Sequence, residues 1–227
     1  MQHLAPGVWL LRGLPYHAIN VYLVEDVLID GGIRWQAHPI RSQLRGRPVT
    51  RMALTHCHPD HQGSAHYLCR TLGLELACHA ADVPAMDGTG PMIPATFIVN
   101  VLGRLIAGPP HKVSRVLHDG DEIAGFRVVH APGHTPGHVI YFRESDRVAL
   151  AGDVLANMSF LTARPGLRLP PSPFCDDPWQ NARSVEILAN LRPSLVGFGH
   201  GPPLTKPDQL QWFAERLRRR MAKLVKK

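Results

Sequence analysis

Short blocks of apolar residues, some alternating with polar positions and some continuous, recur along the chain between turn residues. "VWLLRG", then "AINVYLVED" running into "VLIDGG", read as strands. "WQAHPIRSQLRG" reads as a helix and "VTRMALTH" as a strand; His61 to Leu72 reads as a second helix and "LELACHA" as another strand. Pro84, Pro91, Pro94, Pro109 and Pro110 then break the rhythm around an apolar patch. Strands resume at "KVSRVL", "FRVVHAPG", "HVIYFRES" and "RVALAGD". "DDPWQNARSVEILANLR" predicts a helix, "SLVGFGH" a last strand, and Leu210, Phe213, Leu217, Met221 and Leu224 a terminal amphipathic helix with a basic face.

This order predicts an α+β protein, an αββα four-layer sandwich of two facing mixed sheets with helices outside. A doubly wound sheet fits less well, because hairpin-like strands are too frequent and no Gly-rich loop follows a strand. The 227 residues are expected to form a single domain, with an insertion at about 81–112 that serves either as a pocket wall or as an interface of a homo-oligomer.

Composition narrows the class. Hydrophobic content of 44% and charged content of 19% suit a soluble globular protein. No stretch is long and apolar enough to span a bilayer, and the N-terminus has no signal-peptide pattern, so a cytoplasmic protein is expected. Of the net charge of +7, an excess of six lies from Lys206 onward, where eight basic residues face Asp208 and Glu215. The body is near neutral, so no nucleic-acid surface is expected. Cys57, Cys69, Cys78 and Cys175 show neither metal-knuckle nor disulfide spacing.

"THCHPDHQG", residues 55–63, changes the picture. In extended chain, residues two apart share a side, so His56 and His58 can share one metal while Cys57 points away. Asp60 and His61 come after the turn and can face a second ion. An excess of His and Asp without thiolate suits an open, catalytic metal site. Three later stretches, "APGHTPGH", "LAGDVL" and "GFGHGP", put His134, Asp153 and His200 where strands should end.

These residues resemble the metallo-β-lactamase fold superfamily, whose five motifs appear in order across His56 to His200. The resemblance implies one metal on His56, His58 and His134, and a second on Asp60, His61 and His200, with Asp153 bridging. It also implies that Asp30 orients a metal-binding histidine, while His138 is expected to stand behind the ligands. Two divalent ions about 3.5–4 Å apart bring a shared water's pKa near neutrality. The implied reaction is attack by a metal-bridging hydroxide on an acyl carbon, with Asp60 holding the nucleophile and taking its proton.

Departures from known subgroups narrow this further. The lactamases generally lack the bridging aspartate, flavodiiron oxidoreductases carry glutamate in place of the second histidine, and only 27 residues follow His200. What remains is similar to small glyoxalase II-like thioesterases and lactonases, which act on a thioester, lactone or other small ester. Two Zn2+ ions are expected, with Fe or Mn compatible with the same ligands. Two other readings stay open: a mononuclear-iron persulfide-dioxygenase-type enzyme using His56, His134 and Asp153, and a nucleic-acid phosphodiesterase supported only by the basic tail. Tyr16 and His17 are expected to overhang the site.

Overall fold

The computed structural model describes residues 1–13 and 15–225. Seven strands make the first sheet in sequence order: β1 (Gln2–Ala5), β2 (Val8–Leu10), β3 (Tyr22–Val24), β4 (Val27–Ile29), β5 (Arg51–Ala53), β6 (Glu75–His79) and β7 (Arg115–Leu117). The first four are antiparallel neighbours, and β4 to β7 run parallel. The second sheet has the order β14-β11-β10-β9-β8, from β8 (Glu122–Ile123), β9 (Phe126–His130), β10 (Val139–Arg143), β11 (Val148–Leu150) and β14 (Leu195–Gly197). Its pairs are antiparallel except β11 with β14.

Strand periodicity sorts the apolar residues into three layers. In β10, Val139 and Tyr141 join the core between the sheets, while Ile140 and Phe142 face the other way. In β4, Val27 and Ile29 point inward and Leu28 outward. The outer face of the first sheet packs on Ile40 of α1 (Ala37–Gln43) and on Ala65, Leu68 and Cys69 of α3 (Ala65–Leu72). The outer face of the second packs on Val185, Leu188 and Ala189 of α6 (Pro178–Asn190), and on Leu210 and Ala214 of α7 (Pro207–Val225). Helix, sheet, sheet and helix are thus stacked, as the strand pattern leads one to expect.

Several elements differ from the sequence reading. The helix expected over His61 to Leu72 is two: α2 (Pro59–Gln62) and α3, broken at Gly63–Ser64. The break follows from crowding, since a Cβ on Gly63 would lie 2.6 Å from both Arg34 N and Gly32 O. Ser64 Oγ donates to Ile33 O at 2.7 Å there, so the loop after β4 is stitched into the gap. The short β8 and the hairpin of β12 (Ala156–Met158) and β13 (Pro165–Arg168) were not signalled. The segment 81–112 holds α4 (Val83–Asp87) and α5 (Phe97–Ile106). In α7 the apolar stripe packs through Leu210, Ala214, Phe213 and Leu217, but Leu224 is exposed, so the docked face ends before the helix does. Lys226 and Lys227, part of the tail's charge, lie outside the described residues. Among the described residues no helix is long and apolar enough to cross a membrane.

Candidate metal centre

The strands β9, β11 and β14 point the same way, so the loops after them open at one end of the second sheet. Those loops carry His134, Asp153 and His200. From the facing sheet, the loop after β5 carries His56 and His58, His58 in extended backbone, and Pro59 occupies the first turn of α2, where its missing N–H costs nothing. The two sheets are tied at this end by Val139 N donating to Thr55 O and by the Tyr141 hydroxyl donating to Leu54 O.

Here the structure brings all seven expected ligands together. Donor atoms of His56, His58 and His134 lie within 4.8 Å of one another, as do those of Asp60, His61 and His200, and those of His56, His61 and Asp153. Asp153 sits between the first two groups: Oδ2 is 3.5 Å from His134 Nε2 and 3.2 Å from His200 Nε2, and Oδ1 is 3.6 Å from His61 Nε2. Gly199 makes this approach possible, because a Cβ there would fall on Asp153 Oδ1 and against the His61 ring.

The second nitrogen of each of these imidazoles is occupied by protein. His61 Nδ1 is 2.9 Å from Asp30 Oδ2, whose carboxylate also accepts from Thr55 N and Oγ1. His58 Nε2 is held by Ile93 O at 3.0 Å, His56 Nδ1 by Thr55 Oγ1 at 3.0 Å, and His200 Nδ1 by Ala18 O. These contacts aim the remaining nitrogens inward. His56 Nε2, His61 Nε2, His134 Nε2 and Asp153 Oδ1 are buried with no hydrogen-bond partner among the described residues. Buried polar atoms are normally paired, so four orphans facing one another fit a bound cation.

The electrostatics divide the cluster in two. Burial, with neighbouring histidines adding to it, holds His56 and His134 well below the ordinary imidazole range, which keeps them neutral lone-pair donors. Burial opposes a charge on His200 as well, but the carboxylates of Asp153 and Asp60 overcome it and lift the ring to about 10. That side demands positive charge, which suits divalent ions.

His138 Nε2 accepts from the backbone N–H of Asp153 at 3.0 Å, so this ring stands behind the cluster and sets the Asp153 loop. Cys57 packs in the layer outside the first sheet. The loop before β3 does reach the site, but through Ala18 and Ile19; Tyr16 is exposed and neither it nor His17 lines the cavity. Two contributors escaped the sequence reading. Cys175 Sγ lies 3.6 Å from His134 Nδ1. Asp82, buried, accepts from Cys57 N, Thr135 Oγ1 and Gly137 N at 2.9, 2.9 and 2.7 Å, clamping the two histidine loops together.

A cavity of about 400 Å³ opens over the cluster, with His58, Asp60, His134, Asp153 and His200 in its floor and Val99, Leu102 and Ile106 of α5 in its wall.

Comparison with known proteins agrees with this geometry. The model of the metallo-beta-lactamase superfamily matches residues 14–200. The probable metallo-hydrolase YflN of Bacillus subtilis is 28% identical, covering 86% of this chain and 85% of its own. A more distant relative, the acyl-coenzyme A thioesterase MBLAC2 of Gallus gallus, is 26% identical over 68% of this chain and 59% of its own length. Among solved structures, the metallo-beta-lactamase family protein TTHA1429 from Thermus thermophilus superposes with a TM-score of 0.70 at 25% identity, covering 98% and 83% of the two chains. TTHA1623, solved in a di-iron-bound form, gives a TM-score of 0.63 at 32% identity, covering 82% and 89%. The chain belongs to the metallo-β-lactamase superfamily, with a metal-binding cluster of histidines and aspartates at the open end of its sandwich.

Proposed function

We propose that the chain is a dinuclear metal-dependent hydrolase, with zinc as its resident ion, that opens a thioester, lactone or other small ester. The observation that carries the reading is the pair of donor triads with Asp153 between them, their orphaned buried atoms turned toward one another beneath a cavity. His56, His58 and His134 would hold one ion, Asp60, His61 and His200 the other, and Asp153 both. When bound, such a pair supplies Lewis acidity and an activated water at neutral pH.

The chain's own groups do the rest. The carboxylate of Asp60 lines the cavity 3.2 Å from His200 Nε2, placed to orient the attacking water and to take up its proton. Asp30 and the Ala18 carbonyl keep the His61 and His200 rings from turning. The apolar wall excludes bulk water from the reacting carbonyl. The thioesterase among the relatives supports a thioester as the bond.

A mononuclear oxygenase centre on His56, His134 and Asp153 would leave the second triad without a role. The phosphodiesterase reading has only the basic tail behind it, and among the described residues no Lys or Arg lines the cavity. The test is a panel of thioesters, esters and lactones assayed with the intact protein and with Asp153→Ala. Hydrolysis by the first and loss of both metal and activity in a folded second are expected. An Asp153→Ala protein that keeps its full metal content would contradict the assignment.

A further inference from the structure

The cavity over the cluster is lopsided in its chemistry. All of its polar side chains sit in the floor and belong to the clustered imidazoles and carboxylates. Its walls, among them Ile19, Val99, Leu102, Ile106, Phe160 and Phe174, are entirely apolar, and no described lining residue is Lys, Arg, Ser, Thr, Asn or Gln. The α5 side of this wall is set by helical spacing: Val99, Leu102 and Ile106 stand at i, i+3 and i+7 and share a face. Thr96 caps the helix by accepting from Val99 N, and its hydroxyl donates to Pro173 O at 3.0 Å. That bond pins α5 to the short turn bearing Phe174, another part of the cavity wall.

We propose that this cavity is an acyl-chain site, and that the substrate's acyl group is an uncharged aliphatic chain. The proposal rests on the hydrolase reading for placing the scissile carbonyl at the floor, and on the walls alone for the chain. A carboxylate or ammonium on that chain would be buried with no counter-charge, which is heavily disfavoured. A polar leaving group such as a thiol cofactor meets the same obstacle, so it belongs at the open mouth and the acyl chain inside. Size sets the length. With roughly 30 Å³ for each water-sized group, about 400 Å³ holds roughly a dozen heavy atoms. The reacting carbonyl and its nucleophile take a few of them, leaving space for roughly eight carbons.

Calorimetric titration with dialkyl ketones, in which a methylene replaces the ester oxygen or thioester sulfur, reads chain binding without turnover. Affinity is expected to rise about fourfold per methylene (about 0.8 kcal/mol) and to level off near that length. The kcat/KM values for N-acetylcysteamine thioesters should follow the same profile. Leu102→Trp, which fills the wall, should move the plateau to shorter chains, and Ile106→Ala should move it to longer ones, with thermal melts confirming that each is folded. Affinity independent of chain length, equal binding of carboxyl-terminated chains, or a plateau unmoved in both variants would overturn the proposal. Length-dependent ketone binding in a protein that hydrolyses no ester would keep the acyl site and sink the hydrolase reading instead.

Discussion

Asp82 shows how much of the site rests on a residue outside the cluster. Its carboxylate takes three hydrogen bonds from two loops, and burial pushes its pKa above the usual carboxylate range. Asp82→Ala would strand two backbone N–H groups and a hydroxyl, at a cost of about 2–4 kcal/mol. Because Cys57 lies between His56 and His58, and Thr135 beside His134, metal affinity should fall roughly 10–100-fold as well. Chelator competition and denaturant melts measure the two effects, and unchanged metal affinity would show that the clamp does not set the ligands. At this scale the sequence was legible where chemistry is contiguous: "THCHPDHQG" announces itself by spacing alone. Asp82 and Cys175 carry no such signal, because a lone acid and a lone thiol acquire their partners only through tertiary contacts.

At the scale of elements, periodicity located most strands and the helices over 37–43, 178–190 and 207–225, since each has one face turned to a single apolar layer. It failed where the reason for a structure is not periodic. The split between α2 and α3 comes from the backbone crossing at Gly63. Helix α5 is apolar on both sides, with Phe97 and Leu105 outside and Val99 inside, so its pattern could not say which face meets the cavity. Gly63→Ala tests the first point: the added methyl must push the loop at Gly32–Arg34 away from α2. The expected result is a loss of stability of about 1–3 kcal/mol together with weaker metal binding, since the His61 carbonyl bonds Gly31 N in the same crossing. A variant as stable and as well metallated as the parent would contradict it.

Across the whole molecule, the cluster is where the two halves of the sandwich meet. His56, His58, Asp60 and His61 come from the first sheet's side, and His134, Asp153 and His200 from the second. Ions bound there would cross-link the sheets, so chelation should lower the melting temperature, as loss of a native-state ligand does. A melting curve indifferent to chelator would remove that role. Of the net charge of +7, in contrast, an excess of six lies from Lys206 onward; within α7, Arg218 and Arg219 both pair with Glu215 and Arg216 lies over Trp212. Arg216, Arg218, Arg219 and Arg220 are all exposed on that helix. Elemental analysis of protein purified without chelator or added metal tests the dinuclear centre. Two sites predict close to two ions per chain, predominantly zinc; one ion per chain, or none retained, would contradict a dinuclear centre.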